Sequence, residues 1–333
     1  MDKPYYSLND YFQKEYGEKC YKIAIDAGLS CPNRDGKIGY GGCTFCSAGG
    51  SGDFAVSRKV GTIAEQIEAG LALFGDKKVG DRFVAYYQAY TNTYGELSHL
   101  EALYREGLSH PKIIGISIAT RPDCITPEIV DLLSKLKQEY DPKFIWIELG
   151  LQTCHERTAD FIHRGYPLGV FESAMATLSA AGIPVIVHVI LGLPGETAED
   201  MYQTITYLNG FRPFGVKLQL LHILQHTQLA AQYGFTKEST DDTFTHFPAD
   251  TAPPPFHVLE LEEYIDIVIH CLELLHPDIV IHRLTGDGPK EILLAPKWSL
   301  NKRNVLNTLH KTLRRRQTYQ GRIYYDSRSA NPL

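Results

Sequence analysis

The chain has 333 residues, with 33 Lys and Arg against 39 Asp and Glu for a net charge of -6, and 44 % apolar and 22 % charged positions. These are the proportions of an ordinary globular protein and exclude disordered, collagen-like and disulfide-scaffold classes. No apolar run reaches the ~20 residues of a membrane helix, and Met1-Asp2-Lys3 leads into polar sequence rather than a signal-peptide core, so no membrane partner is expected and a cytoplasmic location is.

Strand and helix signals alternate along the chain. A β-branched run at 21–27 is followed by a glycine-rich loop over 28–54, then by a helical pattern at 62–74. Strand runs at 82–88, 113–120, 144–151 and 184–191 alternate with helical patterns at 96–108, 127–140, 169–181 and 198–209. In the 127–140 segment Ile129, Leu132, Leu133 and Leu136 recur at helical spacing behind the N-cap signal Thr126-Pro127-Glu128. A strand at 216–223 and a polar loop at 235–256 follow, then a helix at 258–275, a strand at 278–284 and a last helix at 302–317. Six or seven βα repeats of this kind predict a parallel sheet in an α/β fold. The expected division is a barrel over 1–234 and a C-terminal, largely helical extension over 235–333, with a basic tail at 296–333.

Charge is divided along the same line. The tail carries nine basic residues, among them Lys297, Lys302, Arg303 and Arg314, against the single acid Asp326, while the rest of the chain has a net charge of -14. A basic tail on an acidic body suits a polyanion, because Lys and Arg release counterions from phosphates. A solvated helix face is the plainer alternative.

The seven cysteines are an odd number, which argues against a disulfide framework. Three of them, Cys31, Cys43 and Cys46, fall on the glycine-rich loop with spacing Cys-x11-Cys-x2-Cys directly after the first strand. Three thiolates on one flexible loop suit an iron-sulfur cluster with one iron left open for a chelating cofactor. A zinc site completed by a histidine or by Cys20 is the alternative. Cys124, Cys154 and Cys271 read as small buried side chains.

The blocks Cys31-Pro32-Asn33-Arg34-Asp35-Gly36 and Gly41-Gly42-Cys43-Thr44-Phe45-Cys46 carry a resemblance to radical S-adenosylmethionine (SAM) enzymes. Further blocks add to it: Gln88-Ala89-Tyr90-Thr91-Asn92-Thr93-Tyr94, Thr120-Arg121-Pro122-Asp123, Glu148-Leu149-Gly150-Leu151-Gln152, Gly192-Leu193-Pro194-Gly195-Glu196 and Ala295-Pro296-Lys297-Trp298. Together they resemble the YtqA/YhcC (MnmL) branch, related to the radical SAM domain of the elongator catalytic subunit. The resemblance implies a partial (β/α)6 TIM-like barrel with a 4Fe-4S cluster on Cys31, Cys43 and Cys46 and SAM on the open iron. Reduction would cleave SAM to a 5′-deoxyadenosyl radical that takes hydrogen from the substrate.

The resemblance also implies site residues. Phe45 is expected near the adenine, and Thr120, Glu148, Gln152, Arg164 and His188 around SAM, with Arg164 suited to the methionine carboxylate. Gln88, Tyr90 and Asn92 at a strand end are candidates for the substrate, together with Lys297, Lys302, Arg303 and Arg314 of the tail. The plainer alternatives are a Glu148–Arg164 ion pair, a core role for His188, a hydrogen-bonded rim for the Tyr90 block and a capping role for Glu196.

The implied function is modification of a tRNA wobble uridine, 5-carboxymethylaminomethyl toward 5-aminomethyl, with a reductant such as flavodoxin or ferredoxin. A small metabolite or protein as substrate, or a non-catalytic iron-sulfur regulatory protein, are the competing readings.

Overall fold

The computed structural model describes residues 4–50, 52–75, 80–236 and 253–324. Most of the expected polar loop after the sixth strand, and Asp326 and Arg328 of the tail, lie outside these residues.

The strands in chain order are β1 (Tyr21–Ile25), β2 (Phe83–Tyr87), β3 (Ile113–Thr120), β4 (Phe144–Gln152), β5 (Val185–Leu191), β6 (Gly215–Leu220), β7 (Ile223–Leu224), β8 (Val280–Arg283) and β9 (Leu293–Ala295). The helices are α1 (Leu8–Tyr16), α2 (Ile63–Ala72), α3 (Leu97–Ser109), α4 (Pro127–Glu139), α5 (Glu156–Phe161), α6 (Leu168–Ala180), α7 (Ala198–Asn209), α8 (Gln228–Gln232), α9 (Leu261–Leu274) and α10 (Lys302–Arg316). Thr126 caps α4 ahead of Pro127 as its sequence signal predicts, and Thr62 and Thr197 form capping boxes with Glu65 and Asp200 at the starts of α2 and α7.

Seven strands form one parallel sheet in the order β1-β2-β3-β4-β5-β6-β8. Its edges do not pair with each other, yet Lys217 on β6 reaches the Tyr86 hydroxyl on β2 at 3.0 Å across the interior. Only a strongly curled sheet lets side chains of strands so far apart in order meet, so the architecture is a half-barrel of TIM type. The apolar strand runs are explained by burial on both faces, as parallel sheets require.

One expected strand is corrected. The run expected as one strand over 216–223 breaks at Leu221-His222; Ile223 and Leu224 turn away to pair antiparallel with β9. The extension beyond residue 234 does more than pack on the barrel, because β8 joins the main sheet and one continuous core includes Leu272 and Val268 of α9, and Val305 and Leu309 of α10, with Ile147 and Val187 of the sheet.

The lower end is plugged. Tyr11 and Phe12 of α1 lie against Trp146 with ring centroids 5.8 and 5.9 Å away, and Trp146 stacks on Phe144 at 4.0 Å. Cys20 is buried in this aromatic cluster, at the end of β1 opposite the glycine-rich loop.

Candidate active site

The carboxyl ends of the strands surround a cavity of about 770 Å³, the size of a small-molecule site. Cys31, Cys43, Cys46, Phe45, Gln88, Tyr90, Thr120, Glu148, Gln152, Arg164, His188 and Lys302 all line it. Residues up to 271 positions apart in sequence are therefore gathered at one end of the barrel, where βα architectures build their sites.

The cysteine loop is held in place by hydrogen bonds. Arg34 donates to the Cys46 carbonyl at 3.2 Å and to the Ser47 carbonyl, and the Gly42 amide donates to the Asn33 carbonyl at 2.8 Å. Gly42 has φ +88°, and a Cβ there would meet Arg34 Nε at 2.8 Å, so the position needs glycine on both counts. Asn33 Nδ2 bridges the His163 carbonyl at 2.6 Å and Cys43 Sγ at 3.7 Å. Tyr90 adopts φ +59°, donates its hydroxyl to the Ala48 carbonyl at 2.5 Å and receives the Arg34 guanidinium over its ring at 5.4 Å. Tyr90 thus clamps the loop as well as lining the cavity.

All three loop cysteines are free thiols facing one space, a donor set of the kind that holds iron-sulfur clusters. Among the described residues no trio of His, Cys, Asp or Glu converges on a single metal-ion position. A cluster asks for less convergence, since each sulfur takes a different iron. Cys20, at the far end of β1, is out of reach as a fourth ligand.

Gln152 also fits a bound molecule. It sits at the end of β4 with φ +66°, and its Oε1 is buried with no hydrogen-bond partner. A buried orphan acceptor and a strained backbone together mark a position kept for a ligand. Gly150 is required beside it, because a Cβ there would meet Gln152 Nε2 at 2.7 Å. Thr120 Oγ1 lies 2.6 Å from Thr93 Oγ1 on the same rim.

Several expected residues have other employment. Glu148 and Arg164 do not pair with each other. Arg164 is 1 % exposed and donates to the carbonyls of Tyr166, Leu151 and Thr153 at 3.1, 3.1 and 2.8 Å and to Glu156 at 2.9 Å. Four of its five N–H groups are spent on the loop after β4, leaving one at Nη2. Arg121 ties the same loop, donating to the Arg164 carbonyl at 2.9 Å while held by Asp123. Asn92 is fully buried, and the two hydrogens of its Nδ2 are shared among the carbonyls of Tyr87, Ala89 and Ala119 at 3.3, 3.0 and 3.0 Å. In this structure it braces the rim behind the cavity wall. Glu196 accepts from Thr153 at 2.5 Å and belongs to the turn after β5. Lys297, Arg303 and Arg314 are exposed and stand outside the cavity wall, on the C-terminal segment and α10.

Glu148 is the hub of the interior. Its carboxylate is 0 % exposed and accepts from Lys22 at 2.6 Å, His188 at 2.6 Å, Ser117 at 2.5 Å and Lys217. Burial alone would raise its pKa, but Lys217, Lys22 and His188 hold the carboxyl well below the usual range. His188 is pushed down to about 4 by burial and by Lys217, so it is neutral and bridges Glu148 to Gln219. Tyr86, at the head of the hydroxyl- and amide-rich block 86–94, lines the cavity as well, together with Lys22, Lys217 and Arg283, which no motif marked. Two of them left a signal: a lone lysine inside each of the apolar runs at 21–27 and 216–223.

Comparison with known proteins agrees with this geometry. The chain is 37 % identical to the uncharacterized protein YtqA of Bacillus subtilis over 97 % of its length and 94 % of the relative's, and 33 % identical to protein YhcC of Escherichia coli over 87 % and 85 %. A 121-residue stretch is 26 % identical to a tRNA uridine(34) acetyltransferase of Methanocaldococcus jannaschii, covering 35 % of this chain and 21 % of that protein. The fold matches the solved Elp3 of Methanocaldococcus infernus with TM-score 0.63 at 14 % identity, over 90 % of this chain and 64 % of that one. The profile of the Radical SAM superfamily matches residues 33–208 and that of the Radical_SAM C-terminal domain residues 251–315. The chain therefore belongs to the radical SAM superfamily, enzymes that work with a 4Fe-4S cluster, SAM and a reductant.

Proposed function

We propose that this enzyme modifies the wobble uridine of tRNA, carrying a 5-carboxymethylaminomethyl group toward 5-aminomethyl. The observation that carries the reading is the pairing of a closed-bottom cavity with an exposed basic helix. Arg303, Lys311, Arg314 and Arg315 of α10 are exposed, giving a backbone-binding surface on the same chain as a pocket wide enough for one nucleoside. The partial likeness to a protein named for tRNA uridine(34) supports the same choice of substrate.

In this reading Cys31, Cys43 and Cys46 hold the cluster, Phe45, Thr120 and Gln152 line the SAM site, and the last Nη2 hydrogen of Arg164 is left for the SAM carboxylate. Glu148 and His188 form its inner wall, Gln88 and Tyr90 face the substrate, and Lys297 and Lys302 extend the basic surface toward the mouth. Residues 1–234 are the catalytic barrel and 235–333 the extension that completes it and holds RNA. A reduced 4Fe-4S cluster held by Cys31, Cys43 and Cys46 would, together with SAM, supply the radical chemistry for hydrogen abstraction. The protein's own part is to enclose the cavity from below, keep His188 neutral and hold the loop rigid through Arg34, Asn33 and Tyr90. A small acidic carrier protein such as flavodoxin or ferredoxin is the proposed electron source.

The test is anaerobic reconstitution with dithionite, SAM and tRNA from a strain lacking the gene, with 5′-deoxyadenosine and modified nucleosides read by chromatography. Deoxyadenosine rising together with a changed wobble nucleoside supports the reading; deoxyadenosine without any tRNA change refutes it. Alanine at Cys31, Cys43 or Cys46 abolishes iron and sulfide retention, whereas alanine at Cys20 or Cys154 leaves both in place.

A further inference from the structure

The cavity floor holds more positive than negative charge. Lys22 and Lys217, 16 and 6 % exposed at the side chain, share the single carboxylate of Glu148. Nearer the mouth Arg283 and Lys302 share Asp287, at 3.4 and 2.7 Å. Four cations thus stand on two carboxylates. The other groups facing Lys217 supply no anion: the Tyr86 hydroxyl on β2 lies 3.0 Å away, His188 on β5 is neutral, and His282 on β8 has both ring nitrogens buried without a partner among the described residues. Below, the plug of Tyr11, Phe12, Phe144 and Trp146 closes the barrel to water and to counterions. Surplus charge in a low-dielectric interior is costly, and here it is relieved either by a lysine giving up its proton or by an anion entering from the cavity mouth.

We propose that Lys22, Lys217 and Arg283 form a receptor for a carboxylate carried by the substrate. The surplus at the Glu148 hub is one unit, which matches a monoanion. Depth favours a carboxylate at the end of a base appendage over an RNA phosphate, which is flanked by sugars on both sides and stays outside a floor this enclosed. The proposal rests on the cavity being the substrate site of the function proposed above and deepens it, since a carboxymethylaminomethyl group ends in such a carboxylate. It also gives the floor lysines a use that the cluster and SAM do not explain.

The ligand-free state prepares Lys217 for this task. Burial, with Lys22 and Arg283 nearby, brings it down to about 7 in spite of Glu148. A carboxylate arriving beside it restores the proton, so binding takes up a proton from solution above that pH. Affinity then falls about tenfold per pH unit above 7 until the bound-state pKa is reached.

The test uses the anaerobically reconstituted protein with saturating SAM, so that the carboxylate site of SAM is filled. Acetate, N-methylglycine and inorganic phosphate are each titrated calorimetrically at pH 8 in two buffers of different ionisation enthalpy. Expected are binding of the two carboxylates with uptake approaching one proton, at least tenfold weaker binding by Lys217→Met, and weakening by Arg283→Gln. Uptake in the unmodified protein is decisive even if a variant fails to fold. Carboxylates that bind without proton uptake, that bind Lys217→Met equally well, or that bind only without SAM overturn the proposal, as does tighter binding of phosphate than of either carboxylate. No tRNA is present, so failure here leaves the tRNA reading intact, and an unmodified tRNA in the earlier assay leaves this receptor intact.

Discussion

Replacing Glu148 by glutamine keeps the volume and an acceptor for Ser117 but removes the one carboxylate that, among the described residues, touches Lys22, Lys217 and His188. Breaking a buried ion pair by deleting one partner costs about 3–5 kcal/mol, because the other charge is left stranded. The stranded lysine has an escape, which is to lose its proton. At pH 7 that costs about 1.4 kcal/mol for each unit between 7 and the ordinary lysine pKa of ~10.4, or roughly 4.6 kcal/mol, so the two routes agree on magnitude. The escape fixes the sign of the pH dependence. Lys217 is down at about 7 in the parent, so one lysine is already neutral above that pH; the variant sheds a second, which the unfolded chain still carries protonated. The deficit of Glu148→Gln therefore shrinks by about 1.4 kcal/mol per pH unit from 7 upward. Urea unfolding of both proteins at pH 7, 8 and 9 measures it. A deficit below about 1 kcal/mol at pH 7, or one that grows with pH, refutes the account of the interior as a charge hub.

Two further substitutions separate structure from ligand binding. Gln152→Ala removes a buried orphan acceptor, so the stability of the unliganded protein stays within about 0.5 kcal/mol or rises, while the dissociation constant for SAM increases about tenfold; equilibrium dialysis beside thermal melts checks both. Asn92→Ala removes the two Nδ2 hydrogens shared among the carbonyls of Tyr87, Ala89 and Ala119, of which only Ala119 keeps the Asn92 backbone amide, and destabilises the protein by about 2 kcal/mol in urea, with tRNA affinity of the folded fraction unchanged in filter binding.

The sheet was legible because its strands are buried on both faces and therefore read as apolar runs, and the starts of α4 and α7 because Thr126 and Thr197 cap them in recognisable ways. The spacing of Cys31, Cys43 and Cys46 marked a metal or cluster loop with zinc still open, and the resemblance pointed it toward a cluster. The partners of Arg164 were not: a guanidinium suited to a carboxylate is equally suited to backbone carbonyls, and only the path of the loop after β4 decides that Leu151, Thr153 and Tyr166 claim it. The placement of Asn92 was hidden for the same reason, since an amide on a rim says nothing about which way it faces. Lys22 and Lys217 were visible as charges in apolar runs, but Glu148 lies 126 residues from one and 69 from the other, and their meeting follows from the curl of the sheet, which no local pattern encodes.

Segments far apart in the described chain are sewn together. Gln320 accepts from the Tyr6 amide at 2.9 Å and donates to the carbonyls of His276 and Ile279, while the Gln320 amide donates to the Pro4 carbonyl and the Ile281 amide to that of Tyr6. The plugging helix is thus fastened twice, its aromatic face by Trp146 of β4 and its leading strand of backbone by Gln320 and β8. Fraying around Gln320 therefore loosens the stopper from one side and opens a path for water toward the charge hub above it.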